Sequence, residues 1–129
     1  MKANTREWIE KAEADFVSAG REYRARKQPN FDAACFFAQQ CVEKYLKARL
    51  VEANLIFPKT HDLEALLDRV LSVEPLWEAF RSKLGNLTSF AITFRYPGES
   101  ATRDMARTAV KDAARIREQL RRDMGLRIP

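Results

Sequence analysis

A chain of 129 residues with 46% hydrophobic and 32% charged residues suits one soluble globular domain with a single real core. Four glycines and five prolines argue against an all-β or low-complexity chain, and no run of 18 apolar residues offers a membrane span. The net charge is +5 with a pI near 9.5, which invites an anionic partner without requiring one.

The elements are expected in this order. Met1, Lys2, Ala3 and Asn4 lack the apolar stretch of a secretion signal, so the expected setting is the cytoplasm. Asn4 reads as the N-cap of a first helix over about 5–27. Trp8, Ala12, Ala19 and Tyr23 form one stripe on it, with Asp15 in the middle. Gln28, Pro29 and Asn30 make a turn. A second helix is expected over about 31–54. Phe37, Cys41, Ala48, Val51 and Leu55 form its stripe, interrupted by Lys44 and flanked by Gln40 and Lys47. Leu46, Val42 and Cys35 face the other way, so this helix is apolar on two sides and central.

Asp15 lies 14 residues before Pro29 and Lys44 lies 15 after it. In a tight antiparallel hairpin those levels match, so the two charges that interrupt the two stripes should form a structural ion pair. Phe57-Pro58-Lys59 ends the second helix, and Thr60 or His61 opens a third over about 61–72. Pro75 suits the first turn of a fourth over about 75–93. Tyr96-Pro97-Gly98 breaks the chain again, and a fifth helix over about 100–123 stops near Gly125. The fold class is therefore all-α, an up-and-down antiparallel bundle of four to five helices forming one domain over 1–129.

The residue types exclude several chemistries. Cys35 and Cys41 sit six apart on one helix, where their side chains diverge, and both read as small core residues. One histidine and no CxxC pair leave no zinc site. From Arg95 onward nine Lys and Arg oppose five acids. Arg103, Arg107 and Lys111 stand at i, i+4 and i+8, and form either a solvated face or a basic ridge for an acidic partner or RNA. Trp77, Phe80, Phe90 and Phe94 are core residues first and a homodimer seam second.

The ordered set Trp8-x-x-x-Ala12-x-x-Asp15, then Asp32 to Ala48 (DAACFFAQQCVEKYLKA), then Thr60-His61-Asp62-Leu63, then Arg95-Tyr96-Pro97 resembles the HEPN family of small helical-bundle proteins. The string AQQxxEKxLKA is its most specific part. The resemblance implies a dimerising bundle from a bacterial or archaeal cytosol. It also implies pairing with a small nucleotidyltransferase in a toxin–antitoxin-like module, and nucleotide binding. Some branches are metal-independent ribonucleases with an Arg-x(4–6)-His motif. Here the only histidine is His61, and Asn54, Leu55 and Ile56 occupy the arginine's place. The nuclease activity is therefore not carried over, and no catalytic residue, metal or cofactor is assigned.

The expected function is a HEPN-type binding module acting with a nucleotidyltransferase. The alternatives are an RNA-cleaving toxin with a non-standard site and a purely structural interaction domain. The expected ligand residues are Gln40, Lys44, Lys47, His61, Arg95 and Tyr96. Gln40, Lys44 and Lys47 would form one polar row on the second helix. Arg95 would take a phosphate and Tyr96 a base, with His61 at the edge. Each also has a plain structural reading: a solvated helix face for the row, a helix-start contact for His61 and a helix-ending turn for Arg95-Tyr96.

Overall fold

The computed structural model describes residues 1–129, arranged as five α-helices and no strand. The helices are α1 (Ala3–Arg24), α2 (Phe31–Glu52), α3 (Leu63–Val70), α4 (Arg81–Thr93) and α5 (Arg103–Asp123). A 3-10 segment, Pro75–Phe80, leads directly into α4. No helix is long and apolar enough to cross a membrane.

Helix α2 is the axis of the bundle. Twelve of its residues are buried, around its whole circumference, as expected of a helix enclosed by others. Glu52 near its end accepts from the Lys2 amide at 3.0 Å and from the Thr5 hydroxyl at 2.8 Å. At the other end Tyr23 and Phe31 rings lie 6.5 Å apart. These contacts fix α1 antiparallel to α2. Asp32 accepts from the Ala101 amide at 2.6 Å, and Arg121 donates to the Tyr45 hydroxyl at 2.8 Å, so α5 runs parallel to α2. The long helices alternate in direction along the chain. Short α3 runs the same way as α2, because the 53–62 segment first folds back along α2.

Most boundaries moved for identifiable reasons. Asn4 lies inside α1 instead of capping it; Lys2 is the extended residue before the helix. Helix α1 stops at Arg24, three residues early, and Gln28 takes a left-handed φ of 49° in the turn. Asn30 caps α2 by accepting from the Ala33 amide at 2.9 Å. Helix α3 starts at Leu63, later than Thr60 or His61, because the Asp62 side chain accepts from Glu64 at 3.0 Å and caps it. The single helix expected over 75–93 is split. Its first six residues wind as 3-10, which buries Trp77 and sends its indole N–H to Asp123 at 2.7 Å. Thr102 caps α5, accepting from the Met105 amide at 3.1 Å.

Leu63, Leu66, Leu67, Val70, Leu84 and Leu87 close the core on one side of α2, and Ala106, Ala109, Ala113, Ile116 and Leu120 close it on the other. The alanines of α5 let its backbone approach α2 closely. Phe80, Phe90 and Phe94 pack partly buried against this core. Cys35 and Cys41 are free and buried. Burial, aided by the nearby Asp32 charge, pushes the Cys35 thiol up to about 11, and burial pushes that of Cys41 higher still. Neither is a thiolate nucleophile at neutral pH.

Candidate functional site

Two carboxylates, a half-buried one and a buried one, organise the polar interior. The first is Glu13 on α1. Arg117 grips it with two parallel bonds, Nε to Oε2 and Nη2 to Oε1, both 2.6 Å. The Tyr45 hydroxyl donates to the same carboxylate and accepts from Arg121. Arg121 also donates to the Arg127 carbonyl at 2.6 Å, and the Arg117 guanidinium lies 4.3 Å from the Phe16 ring centre. Burial pushes the Glu13 carboxyl up, but Arg117 and Tyr45 more than offset this and hold it below its usual value. Burial and the donation to Glu13 push the Tyr45 phenol far up. This cluster ties α1, α2 and α5 together, and no buried side-chain polar atom in it lacks a hydrogen-bond partner.

The second is Glu43 on α2, whose side chain is 3% exposed. Lys47 donates to one oxygen at 3.0 Å. Gln39 donates to the other at 3.1 Å, and His61 Nδ1 lies 2.9 Å from that same oxygen. Gln39 also donates to the His61 carbonyl at 2.7 Å, so histidine backbone and ring are both held. An ionised carboxylate only accepts, so Nδ1 carries a proton in this contact, and Nε2 is left free of it. The His61 side chain is 69% exposed, so the buried carboxylate presents an oriented imidazole at the surface.

That imidazole lines a recess of about 110 Å³ between α2 and α4. Phe36, Gln39, Gln40, Thr88, Ala91, Ile92 and Arg95 complete the lining. Thr88 steadies this wall: its hydroxyl donates to the Leu84 carbonyl and accepts from the Leu63 amide, both at 3.1 Å. The recess is therefore bordered by an arginine, a histidine and a glutamine around a phosphoryl-sized space, below the roughly 300 Å³ at which sites begin to engulf a whole ligand.

Of the six ligand residues expected from the sequence, Gln40, His61 and Arg95 line this one recess. Tyr96 is exposed next to Arg95 but outside the lining. The polar row Gln40–Lys44–Lys47 does not exist as a row. Lys44 turns to α1 and pairs with Asp15, half-buried. Lys47 is buried on Glu43, with its ammonium 5.6 Å from the Trp8 ring centre. Gln40 turns back to donate to the side-chain Oε1 of Gln39 at 2.8 Å. The row that holds together is Gln39–Glu43–Lys47, at i, i+4 and i+8. Its alternation of amide, acid and ammonium is self-complementary, and that spacing was the available signal.

The basic residues of α5 also divide. Arg117 and Arg121 are buried in the Glu13 cluster, whereas Arg103, Arg107 and Lys111 are exposed. No group of three or more His, Cys, Asp or Glu side chains is placed to hold a metal ion.

An all-α bundle around one enclosed central helix, with a polar recess between α2 and α4, defines the class of small helical-bundle domains. A family model of the HEPN domain matches residues 5–123, nearly the whole chain, and the protein belongs to the HEPN family. That membership makes it, in general terms, a nucleotide- or RNA-related module. No curated protein and no solved structure matches the chain.

Proposed function

We propose that the protein is a HEPN-type binding module that receives a phosphate group of a nucleotide or RNA in the α2–α4 recess. The observation that carries this reading is the convergence of Arg95, His61 and Gln40, from three separate parts of the chain, on one small polar recess. Arg95 supplies the charge-assisted donors, and the imidazole fixed by Glu43 supplies the second contact by donating from Nε2 in its doubly protonated form. The recess holds a phosphoryl group, and the rest of the ligand extends over exposed Ile92 and Tyr96. Family membership supports the remaining parts: a homodimer, and action beside a small nucleotidyltransferase in a toxin–antitoxin-like pair. Ile92 and Tyr96 also give a second copy an apolar edge to cover.

The test is a titration of nucleoside mono- and triphosphates and a short oligoribonucleotide against the wild type, Arg95→Ala and His61→Ala. Saturable binding that both substitutions weaken at least tenfold supports the recess. Equal binding by all three proteins places the ligand elsewhere. Light scattering across micromolar concentrations checks the dimer, and co-purification at native expression identifies the protein partner.

A second reading is favoured by one contact, His61 Nδ1 on Glu43, with Arg95 in the same recess. A proton-transfer group beside a cation is what metal-independent RNA cleavage requires. Cleavage in the presence of chelator that His61→Ala abolishes would favour this reading over simple binding.

A further inference from the structure

We infer a second anion-binding surface, distinct from the recess, at the end of the bundle where α1 passes to α2 and α5 begins. Its ligand is the phosphodiester backbone of a nucleic-acid strand.

Three features meet there. The first is a ridge. Arg103, Arg107 and Lys111 are exposed on α5, each four residues from the next, so their Cα atoms climb about 6 Å per step. That interval is close to the separation of successive phosphates along an extended strand. The second is a set of cations across from the ridge, on the last turn of α1 and the turn after it. Arg24, Arg26 and Lys27 are exposed there. The third is a surface hollow of about 340 Å³ beside both, lined by Gln28 to Asp32 with Ser100 and Ala101.

The cations are held in place. The Arg103 guanidinium lies 5.1 Å from the Phe31 ring centre. Arg107 donates to the Tyr23 hydroxyl at 3.0 Å, which fastens the ridge to the end of α1. Arg24 lies back along α1 over Gly20, where a Cβ would stand 2.6 Å from its Nη1. Guanidinium groups fixed in this way lose less freedom on binding than loose surface lysines do.

Two of the five acids nearby are paired with cations. Asp104 pairs with Arg107 at 2.9 Å, and Asp32 accepts from the Ala101 amide. Asp112 lies 3.9 Å from Lys83, a residue of α4. Asp32 keeps its charge in the hollow, and with Glu22 and Glu99 it stands against five cations other than Arg107. The repeat of the cations along α5 favours a polymer of evenly spaced charges over a folded acidic protein surface.

The experiment is fluorescence anisotropy of a 5′-labelled twelve-nucleotide oligouridylate, titrated with the intact protein at several salt concentrations. The test variant is Lys27→Gln, Arg103→Gln, Lys111→Gln. The control is Arg6→Gln, Lys59→Gln, Arg69→Gln, which removes the same charge from exposed sites elsewhere. Circular dichroism verifies that both are folded. Each single-strand phosphate contact contributes roughly 0.7 to the slope of log K against log salt, so the test variant should flatten that slope by about 2. Its affinity near 0.1 M salt should fall at least tenfold, with the control much less affected. A nucleoside monophosphate, which fills only the recess, should bind the test variant as tightly as it binds the wild type, which separates this surface from the recess. No binding by the wild type at 50 mM salt overturns the inference. So does an equal loss in both triple variants, since net charge alone would then explain it. Tighter binding of an oligoglutamate of equal charge would assign the surface to an acidic protein instead.

Discussion

Glu13 and Glu43 are the same side chain on neighbouring helices, and each is enclosed by hydrogen-bond donors, yet they do different work. All of Glu13's partners are structural: a bidentate arginine, a phenol and a second arginine, each satisfied within the cluster. Glu43 spends two partners, Lys47 and Gln39, on being buried, and its third is an imidazole that stands largely in solvent. The closed network locks helices together. The open one transmits the order of the core to a surface group. On the proposed reading, what distinguishes the structural carboxylate from the one that serves the recess is whether the last partner in its chain is itself buried.

The comparison breaks most visibly at Glu13. Glu13→Gln leaves Arg117 and Arg121, each with a side chain only 10% exposed, facing a neutral amide. The expected loss is about 3 kcal/mol in urea unfolding, the scale of an interrupted buried pair. The effect has a pH sign. The folded Glu13 carboxyl lies below its ordinary value of 4.5, so its stabilisation is present above that value. It is lost as pH falls through the ordinary value toward the lower folded one. The stability gap between wild type and Glu13→Gln should therefore narrow as the solution is acidified below that value. A gap that stays constant with pH would show that the charge of Glu13 is not what matters.

Glu43→Gln should cost less, about 2 kcal/mol, because the Trp8 ring still faces the Lys47 ammonium. Unlike the Glu13 change, it should also weaken ligand capture at the recess by freeing the His61 ring. If Glu43→Gln alters stability alone and Glu13→Gln alters both, the roles assigned to the two networks are reversed. Lys44→Ala lies further down the scale, at about 1 kcal/mol. The Lys44 side chain is 21% exposed and that of Asp15 14%, between the fully buried and the surface limits. A loss as large as that of Glu13→Gln would mean that burial of the pair is effectively complete.

The bundle and the Asp15–Lys44 pair could be read from the chain because both rest on local rules. Helical stripes give the faces, Pro29 gives the turn, and equal distance from the turn gives the level. The Glu13 cluster escaped because Arg117 and Arg121 sit on a helix with a strong polar side, where arginines read as solvated. Both are in fact almost wholly buried, stem and guanidinium alike. On α2 the wheel fails for another reason. A helix buried on every side has no wet face by which to sort Gln39 and Glu43 from Gln40 and Lys44. The His61–Glu43 contact depends on how the 53–62 segment folds back, which no periodicity encodes. The arrival of Arg95 at the same recess depends on α4 running antiparallel to α2, a property of the topology and not of any motif.

The smallest effect on stability is the sharpest test of the comparison. His61→Ala removes a ring that is mostly in solvent, so unfolding free energy should change by less than about 0.5 kcal/mol. The Gln39 bond to the His61 carbonyl survives the change and keeps the 53–62 segment docked. Glu43 keeps Lys47 and Gln39 as donors, so no buried charge is orphaned. Binding at the recess should nevertheless fall at least tenfold, since Arg95 alone is left to fix the phosphate. His61→Gln separates shape from chemistry: its amide can donate to Glu43 but brings no second ring nitrogen to the recess. It should match the wild type in stability and the alanine variant in binding. A histidine variant that unfolds as readily as Glu13→Gln, while binding normally, would make the open network one more structural tie.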